Sequence, residues 1–370
     1  MNIVVRSDAS HRIGTGHVMR CLTLAHLLRE HGAQVTFICR EFPGHLCDMI
    51  KRKGFTVKRL PHDGHPFDDP GQRKQYLSWL SVPRDVDVGQ TRSLLADLPR
   101  APDWLIVDHY ALDITWERVL RPLVNQIMVI DDLADRLHDC DLLLDQNLYE
   151  NLEHRYDGLV PDHCRLLLGP QNALLRPEFI AAREVIPEKN DRVDRILIFF
   201  GGVDTTNETA KALEAIHLTG RSDITVDVVV GSANLHREQI EAASSSMPNV
   251  MLHYQVENMA ELMVRADLAV GGGGTTTWER CCLGLPALVI AVAENQIEIA
   301  QQVHQLGAVL YLGRGEEVTI ENFCTALNKL VDKPLVLRDM RRKAVGLVDG
   351  GGAGRVCNIL HERCGERVSI

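Results

Sequence analysis

The segment Arg6-Ser7-Asp8-Ala9-Ser10-His11-Arg12-Ile13-Gly14-Thr15-Gly16-His17 holds the first residues equipped for chemistry. Gly14 and Gly16 let a backbone approach a ligand closely, and a helix beginning near His17 aims free N–H groups at it. A histidine at a helix N-terminus feels the positive end of the dipole, which favours the neutral imidazole. A neutral imidazole can take a proton from water, so His17 is a candidate general base. A histidine that only caps the helix is the competing reading. The turn is not a dinucleotide fingerprint, because Met19 stands where that motif needs its third glycine.

The second half of the chain offers anion donors. Gly201-Gly202-Val203-Asp204 follows one apolar run, and Gly271-Gly272-Gly273-Gly274-Thr275-Thr276-Thr277 follows another. Successive glycines cost entropy and bury nothing, so their expected use is backbone donors packed around phosphate oxygens. Glu279 falls one helical turn after Thr275. A carboxylate there would repel phosphate, so its partner would be a pair of hydroxyls such as those of a ribose, with surface solvation the alternative. Asn295 and Gln296 suit sugar hydroxyls or acetamido groups, although Asn295 could equally cap a helix.

Other candidates sit at expected strand ends. Asp108-His109-Tyr110 closes the run that starts at Trp104, and Asp131-Asp132 closes the next. Asp8, Asp108 and Tyr110 are candidates for orienting water or sugar, unless the aspartates only hold loops. Arg176 could reach a pyrophosphate or lie solvated on the surface. His62, His65, Asp68 and Asp69, within HDGHPFDDPG, could hold a metal. No second group of ligands supports them, and a solvated loop is the better reading.

These residues need elements to position them, and the pattern supplies parallel βαβ units. Strands are expected at Asn2–Arg6, Gln34–Cys39, Val57–Leu60, Trp104–Asp108, Gln126–Asp131 and Arg165–Gly169. After the first of them, Val18, Cys21, Leu22, Ala25 and Leu28 share one face of a helix. The charged run REVIPEKNDRVD, with Pro187 and no apolar period, reads as a linker. The pattern then restarts with strands at Arg195–Phe200, Thr225–Val230, Val250–His253, Leu268–Val270, Ala287–Val292 and Val309–Leu312. Helices are expected at Glu208–Leu218, Asn258–Arg265, Thr276–Leu283 and Gln296–Gln305. The α/β fold class that follows is two Rossmann-like, doubly wound domains facing a cleft, at 1–183 and 195–350, joined by a linker at 184–194 and closed by a helix or tail at 351–370.

Composition narrows the partners. A formal net charge of -10 gives no general basic field for nucleic acid or anionic membrane, and no apolar run is long enough to cross a bilayer. The 10 cysteines are scattered without a C-x-x-C pair, which reads as reduced thiols in a soluble cytoplasmic protein. Neither a metal, a cofactor nor an obligate protein partner is expected.

The motifs RSDASHRIGTGHVMRCLTLA, DHYALD, DDLADRLHDCDLLLDQN, YDGLVP, LLGPQNALLRPEF, FFGGVD and GGGGTTTWERCCLGLP occur in this order. Together with WLSVPRDVD and DGGGAGRV they resemble the UDP-2,4-diacetamido-2,4,6-trideoxy-β-L-altropyranose hydrolases of bacterial pseudaminic acid biosynthesis. The resemblance runs through nearly the whole chain, although the second-half glycine motifs are shared with related glycosyltransferases. It implies a glycosyltransferase-B architecture, similar to the transferase that adds N-acetylglucosamine in peptidoglycan synthesis. It also implies metal-free cleavage of the sugar C1–O bond by water, with inversion and release of UDP. The family's catalytic histidine falls on His17. Its nucleotide site falls on Gly201, Gly202, Gly273, Gly274 and Glu279, beside Thr275, and in the related transferases the uracil is read by main chain near the position of Val256. Some members carry serine or alanine within the glycine run, a change that backbone donation survives. A UDP-sugar-dependent glycosyltransferase, a UDP-sugar-binding protein without catalysis and a nicotinamide dehydrogenase are the rival readings. His17 after the glycine turn argues against pure binding, and Met19 against the dehydrogenase. Because no ligand set has metal spacing, turnover is expected to survive excess EDTA. Loss of activity restored by Mn²⁺ or Mg²⁺ would overturn the metal-free reading.

Overall fold

Strands rich in Val, Ile and Leu and buried on both faces alternate with helices along the chain, a pattern that suits a parallel sheet covered on both sides. The structure, a computed structural model, describes residues 1–62, 79–190, 192–231 and 234–365. It divides into two units. The first comprises Met1–Asn147, Asn151–Leu174 and the chain from Gly352 onward, and the second comprises Leu148–Glu150 and Leu175–Gly351.

In the first unit β1 (Asn2–Ser7), β2 (Gln34–Arg40), β3 (Thr56–Leu60), β4 (Trp104–Asp108), β5 (Gln126–Ile130), β6 (Leu142–Asp145) and β7 (Arg165–Leu168) form one sheet. Its order is β3-β2-β1-β4-β5-β6-β7, with every pairing parallel. The order reverses between β1 and β4, where Ser7 pairs with Asp108. Such a reversal leaves a crevice at the carboxyl ends of the two strands. The helices are α1 (Gly16–Glu30), α2 (Cys47–Arg52), α3 (Arg84–Ala96) and α4 (Ile114–Leu120). Val18, Cys21, Leu22, Ala25 and Leu28 of α1 are all buried, as their spacing requires. Each large apolar side chain so buried contributes roughly 1.5–3 kcal/mol.

Helices α3 and α4 are tied to the sheet by buried charge. Asp87 of α3 accepts from Arg6 Nη2 at 2.8 Å, Arg40 Nη2 at 2.7 Å and Trp116 Nε1 at 3.0 Å. Removing one member of such a buried set costs about 3–5 kcal/mol, because it strands the others. Asp87 lies in the WLSVPRDVD stretch, which thereby has a structural use.

The second unit repeats the plan with β8 (Arg195–Phe199), β9 (Thr225–Val230), β10 (Val250–Tyr254), β11 (Leu268–Gly272), β12 (Ala287–Ala291) and β13 (Val309–Arg314). They pair in parallel in the order β10-β9-β8-β11-β12-β13, reversing between β8 and β11. Its helices are α5 (Pro177–Glu184), α6 (Glu208–Leu218), α7 (Arg237–Ser244), α8 (Met259–Arg265), α9 (Thr276–Cys282), α10 (Ile297–Gln305), α11 (Ile320–Val331) and α12 (Pro334–Leu347). The last helix, α13 (Gly352–Arg363), belongs to the first unit. Val356, Cys357 and Leu360 join its core, and Trp104 Nε1 donates to the Leu360 carbonyl at 3.1 Å.

The structure departs from the sequence expectation at strand β6 and at the boundary between the units. Strand β6 was not expected, because its LLLD lies between acidic residues and has no β-branched member. The first unit ends at Leu174 rather than at 183, since α5 packs with the second unit: Arg183 donates to the carbonyls of Cys282, Val345 and Val348. The closing segment is, of the two forms expected, a helix, and it packs into the first unit's core. A Cβ added at Gly352 would lie 2.3–2.7 Å from backbone atoms of Asn172 and Ala173, whereas Gly354 has nothing within 4 Å. Gly352→Ala should therefore destabilise the protein by about 1–3 kcal/mol, while Gly354→Ala should be neutral or stabilising by about 0.5–1 kcal/mol. Urea unfolding measures both, and equal effects would contradict the docking of α13.

Candidate functional site

Residues able to do chemistry collect at the strand-order reversal of each unit. In the first, β1 runs into a turn in which Ser10 Oγ accepts the Ile13 N–H at 2.9 Å and Gly14 N–H donates to the Ser10 carbonyl at 2.8 Å. Gly14 has φ +80, which side chains rarely adopt, and Gly16 is the first residue of α1. The turn brings the start of α1 to the end of β4.

His17 Nδ1 there lies 2.6 Å from Asp108 Oδ1. Arg20, one turn further on, grips the same carboxylate through Nη2 to Oδ1 at 2.6 Å and Nε to Oδ2 at 2.7 Å. Burial alone would raise the Asp108 carboxyl, but the charge of Arg20 and its hydrogen bonds, with that of His17 Nδ1, hold it well below the usual carboxylate range. An ionised carboxylate only accepts, so Nδ1 carries the proton it donates. Nε2 is left as the nitrogen that could take one from water. Among the described residues no side chain is hydrogen-bonded to it. A caps-only role does not fit: Thr15 is the residue before the helix, and His17 is buried and bonded to the end of β4.

Further polar groups surround this pair. Asp132 accepts from Arg20 Nη1 at 3.3 Å, from Asn147 Nδ2 at 3.0 Å and from the Tyr110 hydroxyl. The Tyr110 ring meets His17 edge-on at 4.6 Å and stacks on Trp79 at 5.3 Å. Asp8 lies deeper. Its partners are Arg6 Nη1 at 2.7 Å, the Arg40 N–H at 2.6 Å and His109 Nε2 at 3.4 Å, and it is fully buried. That is a bracing position within the strand ends. His62 lies 3.0 Å from Ser81 Oγ, whereas His65, Asp68 and Asp69 fall outside the described residues. Among the described residues no group of three or more His, Cys, Asp or Glu could hold a metal ion.

The second unit gathers the other candidates. Gly201, with φ +88, and Gly202 leave β8, and Asp204 caps α6 by accepting the N–H of Glu208 at 2.9 Å and of Thr209 at 3.0 Å. The four-glycine run is only half a loop. Gly271 and Gly272 are strand residues of β11, and a Cβ on Gly271 would lie 2.4 Å from the Phe199 carbonyl oxygen. The expectation that these glycines have no packing value is thus corrected. Gln296 uses its side-chain oxygen to accept the Gly273 N–H at 3.0 Å and the Val292 N–H at 3.2 Å. Gly273 therefore keeps its donor inside the protein, and the turn continues through Gly274 and Thr275. Arg176 and Glu279 meet, Nη2 to Oε1 at 3.4 Å, and burial raises the Glu279 carboxyl against the opposing charge of Arg176. Asn295 is half-buried in the turn after β12, and Val256 follows β10, next to Gln255 with φ +50.

Comparisons with known proteins bear on the family and the fold. Residues 195–350 match the glycosyltransferase family 28 C-terminal domain. Over 364 residues the chain is 32% identical to the spore coat polysaccharide biosynthesis protein SpsG of Bacillus subtilis, covering 98% of each chain. The chain belongs to the family of that protein. A second family relative is the UDP-2,4-diacetamido-2,4,6-trideoxy-beta-L-altropyranose hydrolase of Campylobacter jejuni. It is 25% identical over 308 residues, 83% of this chain and 97% of the relative. The crystal structure of Acinetobacter baumannii MurG matches with a TM-score of 0.65 over 98% of this chain and 99% of that one, at 16% identity. That likeness establishes the two-Rossmann glycosyltransferase-B fold.

Arg20, Asn147, Trp79 and Asp145 were not singled out from the sequence. Only Arg20 left a trace, three residues after His17 and so on the same helix face. Asp145 ends β6, accepts the Asn147 N–H at 3.0 Å and lies 3.2 Å from Arg155 Nε. Burial, then the charge of Asp132, pushes its carboxyl from 3.8 up to about 8. The folded state thus holds a proton that the unfolded chain loses near pH 4. This contribution to stability is complete below that pH and is lost as pH rises towards about 8. Asp145→Asn, neutral throughout, should gain stability over wild type progressively across that window. Urea midpoints at about pH 5 and about pH 8 measure the gain, and a difference that stays flat would contradict it.

Proposed function

We propose that this chain is a UDP-sugar hydrolase that cleaves the sugar C1–O bond of UDP-2,4-diacetamido-2,4,6-trideoxy-β-L-altropyranose with inversion. The observation that carries the reading is the 2.6 Å contact between His17 Nδ1 and Asp108, with Arg20 clamped on the same carboxylate. Fixing Nδ1 as donor presents Nε2 as a base, and Asp108 stabilises the imidazolium formed when it takes a proton. The name of the Campylobacter jejuni relative supports water as the acceptor.

In this reading the second unit holds UDP. Its Gly201–Gly202 and Gly274–Thr275 turns supply backbone donors to the diphosphate, Glu279 takes the ribose hydroxyls and the main chain at Val256 reads uracil. Arg176 leaves Glu279 to meet phosphate, and Asn295 faces the sugar. Water attacks C1 and gives its proton to His17 Nε2. The C1–O bond breaks, and its electron pair leaves on the UDP oxygen, where the backbone donors receive the charge. Tyr110 and Asp132 orient the sugar or the water. The chemistry needs neither a metal nor an organic cofactor.

Transfer to an acceptor hydroxyl is the second reading, favoured by the family 28 domain and by the word polysaccharide in the name of the Bacillus subtilis relative. The same base would then deprotonate the acceptor. Incubation with the UDP-sugar in 18O-labelled water separates the two. Hydrolysis at C1 puts label in the free sugar; label in phosphate means attack at phosphorus; substrate left intact until an acceptor is added means transfer. For the base, His17→Asn should lower turnover by roughly two to four orders of magnitude and leave UDP affinity unchanged. A variant that still hydrolyses near the wild-type rate would sink the mechanism.

A further inference from the structure

Arg280 of α9 follows Glu279 in sequence and is 2% exposed. Its Nη2 donates to the Gly272 carbonyl at 2.7 Å and to Thr277 Oγ1 at 3.0 Å. Its Nη1 lies 2.7 Å from where a Cβ on Gly271 would be, so the guanidinium sits directly against the glycine run. Its Nε is buried without a hydrogen-bond partner. Both acceptors are neutral, and the neighbouring Glu279 pairs with Arg176 instead. Among the described residues Arg280 forms no ion pair.

A buried charge without an ion-pair partner is costly, and such groups concentrate at functional sites. Burial pushes Arg280 down to about 10, which still leaves it charged at neutral pH. A neutral glutamine or a methionine would fill the same space without that cost. This charge, offset only in part by the field of Glu279, lies against Gly271 and Gly272, on the strand that leads into the Gly274–Thr275 turn.

We propose that Arg280 is a positioning residue for a diphosphate: it pins the glycine run through the Gly272 carbonyl and supplies, from within the protein, the charge that makes this turn prefer a diphosphate to an uncharged nucleoside. The inference rests on the UDP reading above and adds to it a cation that makes no contact with the ligand. Since it acts through the backbone and through its field, its loss weakens ligands in proportion to their charge.

Calorimetric titration of wild type, Arg280→Lys and Arg280→Met with UDP, uridine and inorganic pyrophosphate tests this. Arg280→Met should lose roughly ten-fold or more in affinity for UDP and pyrophosphate, with uridine unchanged, and Arg280→Lys should restore most of the loss. An Arg280→Met protein that keeps the wild-type preference for UDP over uridine overturns the inference, as does one in which UDP and uridine weaken together. If Arg280→Met does not fold, Arg280→Lys decides: keeping the charge should keep the preference, and a folded lysine variant without it overturns the inference. Wild type that binds pyrophosphate as tightly as UDP overturns the nucleotide reading while the Arg280 effect on pyrophosphate stands. Wild type that binds neither overturns both.

Discussion

Asp108 ends a strand in the middle of a seven-stranded sheet, and its carboxylate is fully buried. An ionised carboxylate in that position needs strong donors, and a bidentate guanidinium is the best match among side chains. Arg20 meets the need, and in doing so fixes the rotation of the first turn of α1 against β4. His17, three residues earlier on the same face, then has no choice but to lie beside Asp108. Arg20 also reaches Asp132 at the end of β5, which in turn holds Tyr110 and Asn147. One buried charge thus orders side chains drawn from α1, β4, β5 and β6.

The second unit is organised by close approach rather than by charge pairing. A Cβ on Gly271 would meet the Phe199 carbonyl at 2.4 Å, and one on Gly231 would meet the Gly202 carbonyl at 2.3 Å. Glycine at these positions lets β8, β9 and β11 bring their carboxyl ends together. Gln296 braces the run from the side, through the Gly273 N–H. Beside this turn lie Arg280, a buried cation hydrogen-bonded to neutral groups, and Glu279, a carboxylate whose charge burial disfavours.

The contrast between the units fits the division of labour proposed above. A base has to be held in one tautomer and one orientation while it gains a proton, and a fully paired ionic network does that well. An anion-binding turn has to be incomplete until its ligand arrives, so donors and charge without partners are an advantage there. Family membership and fold are shared with proteins whose names denote hydrolysis and polysaccharide synthesis. In the function proposed above the base and the turn serve hydrolysis and transfer alike, so the acceptor, not the scaffold, would distinguish them.

Much of the fold is legible in the sequence, because central parallel strands buried on both faces are apolar along their length, the edge strands keep a β-branched or leucine-rich run, and most are followed by a helical period. Six of the seven strands of the first sheet and all six of the second can be read in this way. His17 and the glycine turns stand out by residue type alone. Strand β6 does not, since three leucines among aspartates carry no period, and α13 does not, since nothing local says which core will receive Val356 and Leu360. The pairings of His17 with Asp108, 91 residues away, and of Arg176 with Glu279, 103 residues away, depend on the order of strands in each sheet. So does the use of Asp8 as a brace and of Gln296 as a prop for the glycine run. Residue type determines what a side chain can donate, accept or ionise; which partner it finds, and whether water still reaches it, only the tertiary structure decides, because both depend on neighbours distant in sequence.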